Sequence, residues 1–153
     1  MFELVRAIRI DVATRTAQAR ATVPETLAQF ADHFPGHPLL PGTTALELAA
    51  QVAGPLAEET VAARGDSRWA VLGMVRSAVF RAPIALPAEL LLSARIARAT
   101  SSSITVHVEV HAETSRAVTA ELVMHMMALE SGSFAAALAE RDRRLAQWKE
   151  AWT

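Results

Sequence analysis

His33-Phe34-Pro35-Gly36-His37-Pro38-Leu39-Leu40-Pro41-Gly42, running straight into Thr43-Thr44-Ala45-Leu46-Glu47, is the stretch around which this 153-residue chain is organised. Five of its first ten residues are proline or glycine. Proline fixes its own φ and drives the preceding residue towards extended backbone, so such a loop is stiff. A long apolar pattern begins immediately after it. The stretch therefore predicts a rigid loop that delivers His33 to a defined place beside a helix N-terminus.

Downstream, Leu46, Ala49, Ala50, Ala53, Leu56, Ala57 and Val61 fall at three- and four-residue steps. This predicts a helix from Thr43 to about Arg64, with Gly65 placed to end it. The stripe is mostly alanine, which lets a neighbour approach closely, and a sheet wrapped around the helix suits it. Pro55 removes a backbone hydrogen bond to the carbonyl of Gln51 and predicts a bend near Gly54-Pro55. Upstream, Phe2 to Val12 and Arg15 to Val23 alternate as strands, the second more weakly, with Thr14-Arg15 between them. Pro24-Glu25-Thr26 breaks the pattern, and Leu27 to Ala31 suits a short helical turn.

The second half reads as consecutive strands: Trp69 to Phe80 with a bulge near Gly73, Glu89 to Ala99, Ile104 to His111, and Arg116 to Leu129. Ile104, Val106, Val108 and Val110 occupy one face of the third, and Val118, Ala120, Leu122, Met124 and Met126 one face of the fourth. Two strands, a long helix and four strands expected as an antiparallel meander make an α+β domain over residues 1–130. Ser131-Gly132-Ser133 opens an amphipathic helix over residues 131–153. Its stripe of Phe134, Leu138, Leu145, Trp148 and Trp152 suits docking on the domain or on a second subunit. Its arginines suit a carrier-protein or other partner.

Composition narrows the function. The formal net charge of −1 gives no bulk reason to expect nucleic acid. The chain has no cysteine, so disulfides, thiolate catalysis and cysteine metal sites are excluded. No apolar run approaches the ~18–20 residues that span a bilayer. Met1 to Asp11 lacks the pattern of a signal peptide. A cytoplasmic protein without membrane contact is the expectation.

The run from His33 to Gly42, followed by Glu47, Ala50-Gln51 and Gly54, resembles the active-site segment of FabZ/FabA-type 3-hydroxyacyl-[acyl carrier protein] dehydratases. Their pattern is HFPGxPxxPG followed by ExxAQxxG. The spacing matches throughout: Gly42 lies 9 residues after His33 and Glu47 lies 14 after it. Phe80-Arg81-Ala82-Pro83 looks like the family's strand end running into a proline turn. The resemblance implies a hot-dog fold, an antiparallel sheet wrapped around a central helix. It also implies a dimer that pairs the histidine of one subunit with the helix carboxylate of the other, and a cis His33–Phe34 peptide. Departures are the absence of the family's opening helix and His-Arg-Tyr-Pro-Phe-like segment, Pro87-Ala88-Glu89 in place of Pro-Gly-Asp, and the lack of any tyrosine.

Dehydrating a 3-hydroxyacyl thioester needs a base for the C2 proton, an acid for the departing C3 hydroxyl and a donor to the thioester oxygen. His33 is the candidate base, because histidine titrates near neutrality. Glu47 is the candidate acid, and the amide of Gly42 the candidate donor at the helix N-terminus. Phe34, Pro41 and Gln51 are candidates for lining the substrate tunnel or supporting the loop. Each has a plainer reading. Thr44-Ala45-Leu46-Glu47 fits a capping box, in which Glu47 merely satisfies a backbone amide. Gly42 fits a simple turn. The helix dipole favours the ionised carboxylate, which works against an acid, while burial at an interface works the other way.

Among the other histidines, His37 reads as loop rim and His125 as structural. His107 and His111 flank Glu109 on one strand face, too far apart for one metal ion, so no metal site is expected. The implied activity is conversion of carrier-bound 3-hydroxyacyl thioesters to trans-2-enoyl thioesters in fatty-acid, polyketide or polyene biosynthesis. No cofactor is called for beyond the phosphopantetheine of an acyl carrier protein. The expected assembly is a homodimer, a trimer of dimers, or a heterodimer with another hot-dog chain. The alternatives are an acyl thioesterase, with Glu47 activating water, and a non-catalytic partner subunit.

Overall fold

The computed structural model describes residues 3–128 and 134–153. Six strands form one antiparallel sheet: β1 (Val5–Asp11), β2 (Thr16–Val23), β3 (Arg68–Phe80), β4 (Ala88–Ala99), β5 (Ser103–Ala112) and β6 (Ser115–Ala128). Helix α1 (Gly42–Ala62) packs against all six, which is the hot-dog fold. A second helix, α2 (Ala135–Glu150), lies against β1. Among the described residues, no helix is long and apolar enough to cross a membrane.

Alanine explains how the sheet closes around α1. Ala45, Ala49, Ala53 and Ala57 recur every fourth residue and are all buried, while β2 brings Ala17, Ala19 and Ala21 to the same core. Small side chains on both elements let the backbones come close, and the larger residues of β5 and β6 fill the rest. The buried side of α1 is broader than the sequence stripe suggests. Leu48 and Val52 stand at its centre, whereas Leu46 and Ala50 sit half-buried at its flank. A helix enclosed on several sides loses the single-face pattern.

The strand order corrects the expected four-strand meander. Of these four strands, β4, β5 and β6 pair in sequence order, while β3 crosses over to pair with β6 and ends as an edge strand. Alternation within each strand says which face is buried and nothing about which neighbour it takes. The expected bulge is present, with register shifts between Leu72 and Met74 and again between Val75 and Ser77. A Cβ on Gly73 would lie 2.3 Å from Cδ2 of His125, so a larger residue there displaces the exposed His125 ring.

In α2, Leu145 and Trp148 pack against the core, while Phe134 stays exposed and meets Trp69 edge-on at 5.5 Å. Arg9 and Arg20 flank the Trp152 ring at 5.6 and 4.4 Å. The arginines read as partner contacts are engaged within the chain. Arg141 pairs with Glu58 of α1 at 2.6 Å and Arg143 with Glu140 at 2.6 Å. Lys149 pairs with Glu59. The Ser131-Gly132-Ser133 opening of the helix lies outside the described residues.

Glu58 is buried, and its Oε1 accepts the Ala70 N–H at 2.9 Å as well as the Arg141 guanidinium. Burial pushes its carboxyl above the ordinary range, against the pull of the Ala70 amide and Arg141. Folding therefore favours the protonated acid, and any stability from that group is lost as pH rises through its folded pKa. Arg141→Ala would strand a buried carboxylate. Because Arg141 itself is one-third exposed, the expected loss is about 2 kcal/mol near neutral pH, below the full buried-pair range. The loss should shrink as pH falls and Glu58 takes up a proton. Urea unfolding of both forms at neutral and mildly acid pH measures it; a difference that does not change with pH would contradict it.

Candidate active site

The proline-rich loop is held by backbone hydrogen bonds on both sides. A 3-10 turn, Ala28–Phe30, leads into it, and the His33 N–H donates to the Phe30 carbonyl at 2.9 Å. Phe34 and His37 exchange N–H to carbonyl bonds of 3.2 and 2.9 Å across a turn in which Gly36 takes φ +73°. Leu39 donates to the His33 carbonyl at 2.9 Å, Leu40 to that of Ile84 at 2.9 Å, and Leu86 to that of Pro38 at 3.0 Å. The loop is thus tied to the turn after β3, and the His33–Phe34 peptide is cis.

This framework orients the half-buried imidazole of His33. Its Nδ1 lies 3.3 Å from the Leu39 carbonyl oxygen. A carbonyl only accepts, so Nδ1 is the donor in this contact, and in the neutral form of the ring the lone pair lies on Nε2. The Phe34 ring stacks on the imidazole at 4.5 Å and 23°, which restricts its rotation.

Pro41 caps α1 through its backbone, its carbonyl accepting the N–H groups of Thr44 at 3.0 Å and Ala45 at 3.1 Å. Gly42 is the first helical residue, a position whose N–H has no intrahelical acceptor. A Cβ on Gly42 would stand 3.0 Å from the Phe80 ring, so a glycine lets the strand end and the helix start approach. The capping box, the plainer reading of this segment, is not formed. The helix begins two residues before Thr44, Thr44 is buried, and no side chain caps the N-terminus. Glu47 is therefore not spent on a backbone amide. It is exposed, and its Oε1 accepts from Gln51 Nε2 at 2.9 Å, one turn further along.

Glu47 and Gln51 open onto a cavity of about 410 Å3 that runs between α1 and α2. Phe34 lines a different one with Leu27, Phe30 and Pro38. Among the described residues, no hydrogen bond or ion pair joins His33 to Glu47. His37 is exposed. His107 and His111 lie 3.6 and 3.8 Å from Glu109, which Arg116 also binds at 3.1 Å. No cluster of three or more potential metal ligands occurs among the described residues. Sequence reasoning missed the Leu39 carbonyl that orients His33 and the Phe80 ring that lies on Gly42. The first is a backbone atom common to every residue, and the second is a contact across 38 positions, so neither has a local signal.

Known proteins resemble this chain in family and in fold. The family model of ApeI-like proteins, described as ApeI dehydratase, matches residues 9–120. The 3-hydroxyacyl-[acyl-carrier-protein] dehydratase FabZ of Chlamydia trachomatis serovar L2 is 34% identical over 79 residues, 52% of each chain. FabZ of Novosphingobium aromaticivorans is 38% identical over 55 residues, 36% of this chain and 35% of its own. The chain thus spans about half the length, or less, of the curated relatives it matches. Among solved structures, smu.793 of Streptococcus mutans bound to acetyl CoA superimposes with a TM-score of 0.66 at 15% identity, covering 86% of this chain and 94% of that one. The conserved protein PA5202 of Pseudomonas aeruginosa gives 0.63 at 14% identity over 80% and 88%. At such identity these two share the fold.

Proposed function

The chain belongs to the ApeI-like dehydratase family, within the FabZ/FabA-type hot-dog dehydratases, and from that premise we propose that it removes water from 3-hydroxyacyl thioesters. His33 Nε2 takes the proton from C2, and the electron pair of that C–H bond becomes the C2–C3 double bond as the C3–O bond breaks. Glu47 gives its proton to the departing hydroxyl, which leaves as water, and is restored by the proton held on His33. The Gly42 N–H, at the positive end of α1, donates to the thioester oxygen as charge builds on it. Gln51 holds the Glu47 carboxyl, while Phe34 and Pro41 fix the loop and the helix start. The observation that carries this reading is the His33 Nδ1–Leu39 contact, which leaves Nε2 free to act as a base.

The substrate is best understood as an acyl group on the phosphopantetheine of an acyl carrier protein, in fatty-acid or related biosynthesis, and the chemistry needs no further cofactor. His33 of one subunit would work with Glu47 of another, which accounts for the lack of any bond between them within one chain. The unpaired edge of β3 supplies a surface for that second copy: Val71, Leu72, Met74, Val75, Val79 and Phe80 are all exposed there. A long apolar edge strand is a ready template for pairing. Met74→Glu, at a residue 57% exposed, should halve the mass seen by light scattering and abolish enoyl formation together. A monomer with full activity would contradict the shared site. Incubating the protein with 3-hydroxyacyl carrier substrates and detecting the enoyl thioester by mass spectrometry tests the activity itself.

A further inference from the structure

Helix α2 is fastened to the domain largely by charge. None of its residues is buried, and within it only Leu145 and Trp148 pack on the core. Its other fastenings are ionic. Arg141 reaches Glu58 of α1 at 2.6 Å, Lys149 pairs with the adjacent Glu59, and Arg144 Nε lies 3.5 Å from Glu3, ahead of β1. Just past the helix, Arg9 of β1 and Arg20 of β2 flank the Trp152 ring. In two of the three ion pairs, Lys149–Glu59 and Arg144–Glu3, one partner stands in solvent, where salt screens the attraction. The third closes over a carboxyl that burial already disfavours as an anion, so docking there carries a desolvation cost along with its gain. The same helix stands beside the cavity onto which Glu47 opens. Ala137, Arg141 and Trp148 form one wall of it, and Gln51 and Glu58 of α1 belong to the other.

We propose that α2 is a charge-latched strap: it opens as a unit while the sheet stays folded, and in opening it withdraws one wall of the cavity beside Glu47. An element with so little buried surface has a low local opening free energy. Strand β5 is the opposite case, because Ile104, Val106, Val108 and Val110 are all fully buried and it opens only with the whole fold. Salt acts on the first and hardly on the second, since screening weakens exposed ion pairs and leaves buried apolar contacts in place. Helix α2 lies outside residues 9–120, so the strap is an addition to the part that the family model matches. It goes beyond the proposed reaction and does not depend on which chemistry Glu47 performs.

Hydrogen exchange of the full chain, read by mass spectrometry at about 0.05 M and about 1 M NaCl, tests it. Amides of α2 should exchange about tenfold faster at high salt, the effect of screening two surface pairs, while those of β5 do not change. Carbodiimide modification reads the cavity in the same samples. The buried Glu58 should react faster by a similar factor, with Glu47, which is exposed throughout, as the constant reference. Lys149→Glu sets two like charges together at Glu59 and should speed α2 exchange by about tenfold at low salt. Adding Glu59→Lys should restore the protection. Exchange of α2 in step with β5 at every salt concentration overturns the proposal, as does protection that neither salt nor Lys149→Glu changes. Faster α2 exchange with Glu58 still unreactive overturns it too, because the cavity wall would then not have moved. Enoyl formation enters none of these readings, so failure of the proposed reaction leaves the strap standing, and failure of the strap leaves the reaction standing.

Discussion

Replacing His33 by alanine is expected to lower kcat for enoyl formation by about 10³–10⁴, at the upper end of what one acid–base group supplies. The size follows from the absence of a substitute. Among nearby groups, His37 is exposed on the loop rim with its backbone committed to the turn. The fold should survive. The loop is tied by backbone bonds from Leu39, Leu40 and Leu86, none of which needs the imidazole, and the lost Nδ1 contact is worth about 1 kcal/mol. Thermal unfolding should therefore change little while activity collapses. Full activity in the variant would remove His33 as the base. A collapse of both would leave its role as only structural.

Glu47→Gln should lower kcat by about 10²–10³ with little effect on stability, since the amide keeps the size of the side chain and gives up only the proton. The absence of a capping role makes this a clean experiment. A capping glutamate would cost helix stability when changed, and Glu47 caps nothing. The shared site adds a sharper outcome. Mixing His33→Ala with Glu47→Gln subunits, unfolding and refolding them together, creates dimers in which one of two sites has both groups intact. With random pairing in a twofold assembly, activity should recover to about a quarter of wild type. No recovery would mean that each chain carries its own pair.

Much of the site could be read from residues 33–54, because its geometry is local. Prolines stiffen the loop, a helix starts where Pro41-Gly42 directs it, and Glu47 follows at fixed spacing. The strands were also readable, since their alternation reports burial on one face, down to the bulge at Gly73. What was not readable is non-local. The position of β3 beside β6 depends on a crossover that strand patterns do not encode. Thr44-Ala45-Leu46-Glu47 has the letters of a capping box, but the helix starts earlier because the Pro41 carbonyl already accepts two amides. The Leu39 carbonyl on His33 and the Glu58–Arg141 pair, 83 residues apart, exist only once the chain has folded. The candidate residues were thus visible, and the groups that orient them were not.

In the proposed reaction His33 and Glu47 dehydrate an intact thioester. The most direct measurement is mass spectrometry of a 3-hydroxyacyl group on a carrier protein after incubation with wild type and with His33→Ala. Wild type should remove one water from the carrier-bound acyl group with the thioester still in place, and the variant almost none. Release of free acid, or a carrier-bound substrate left unchanged by wild type, would contradict it.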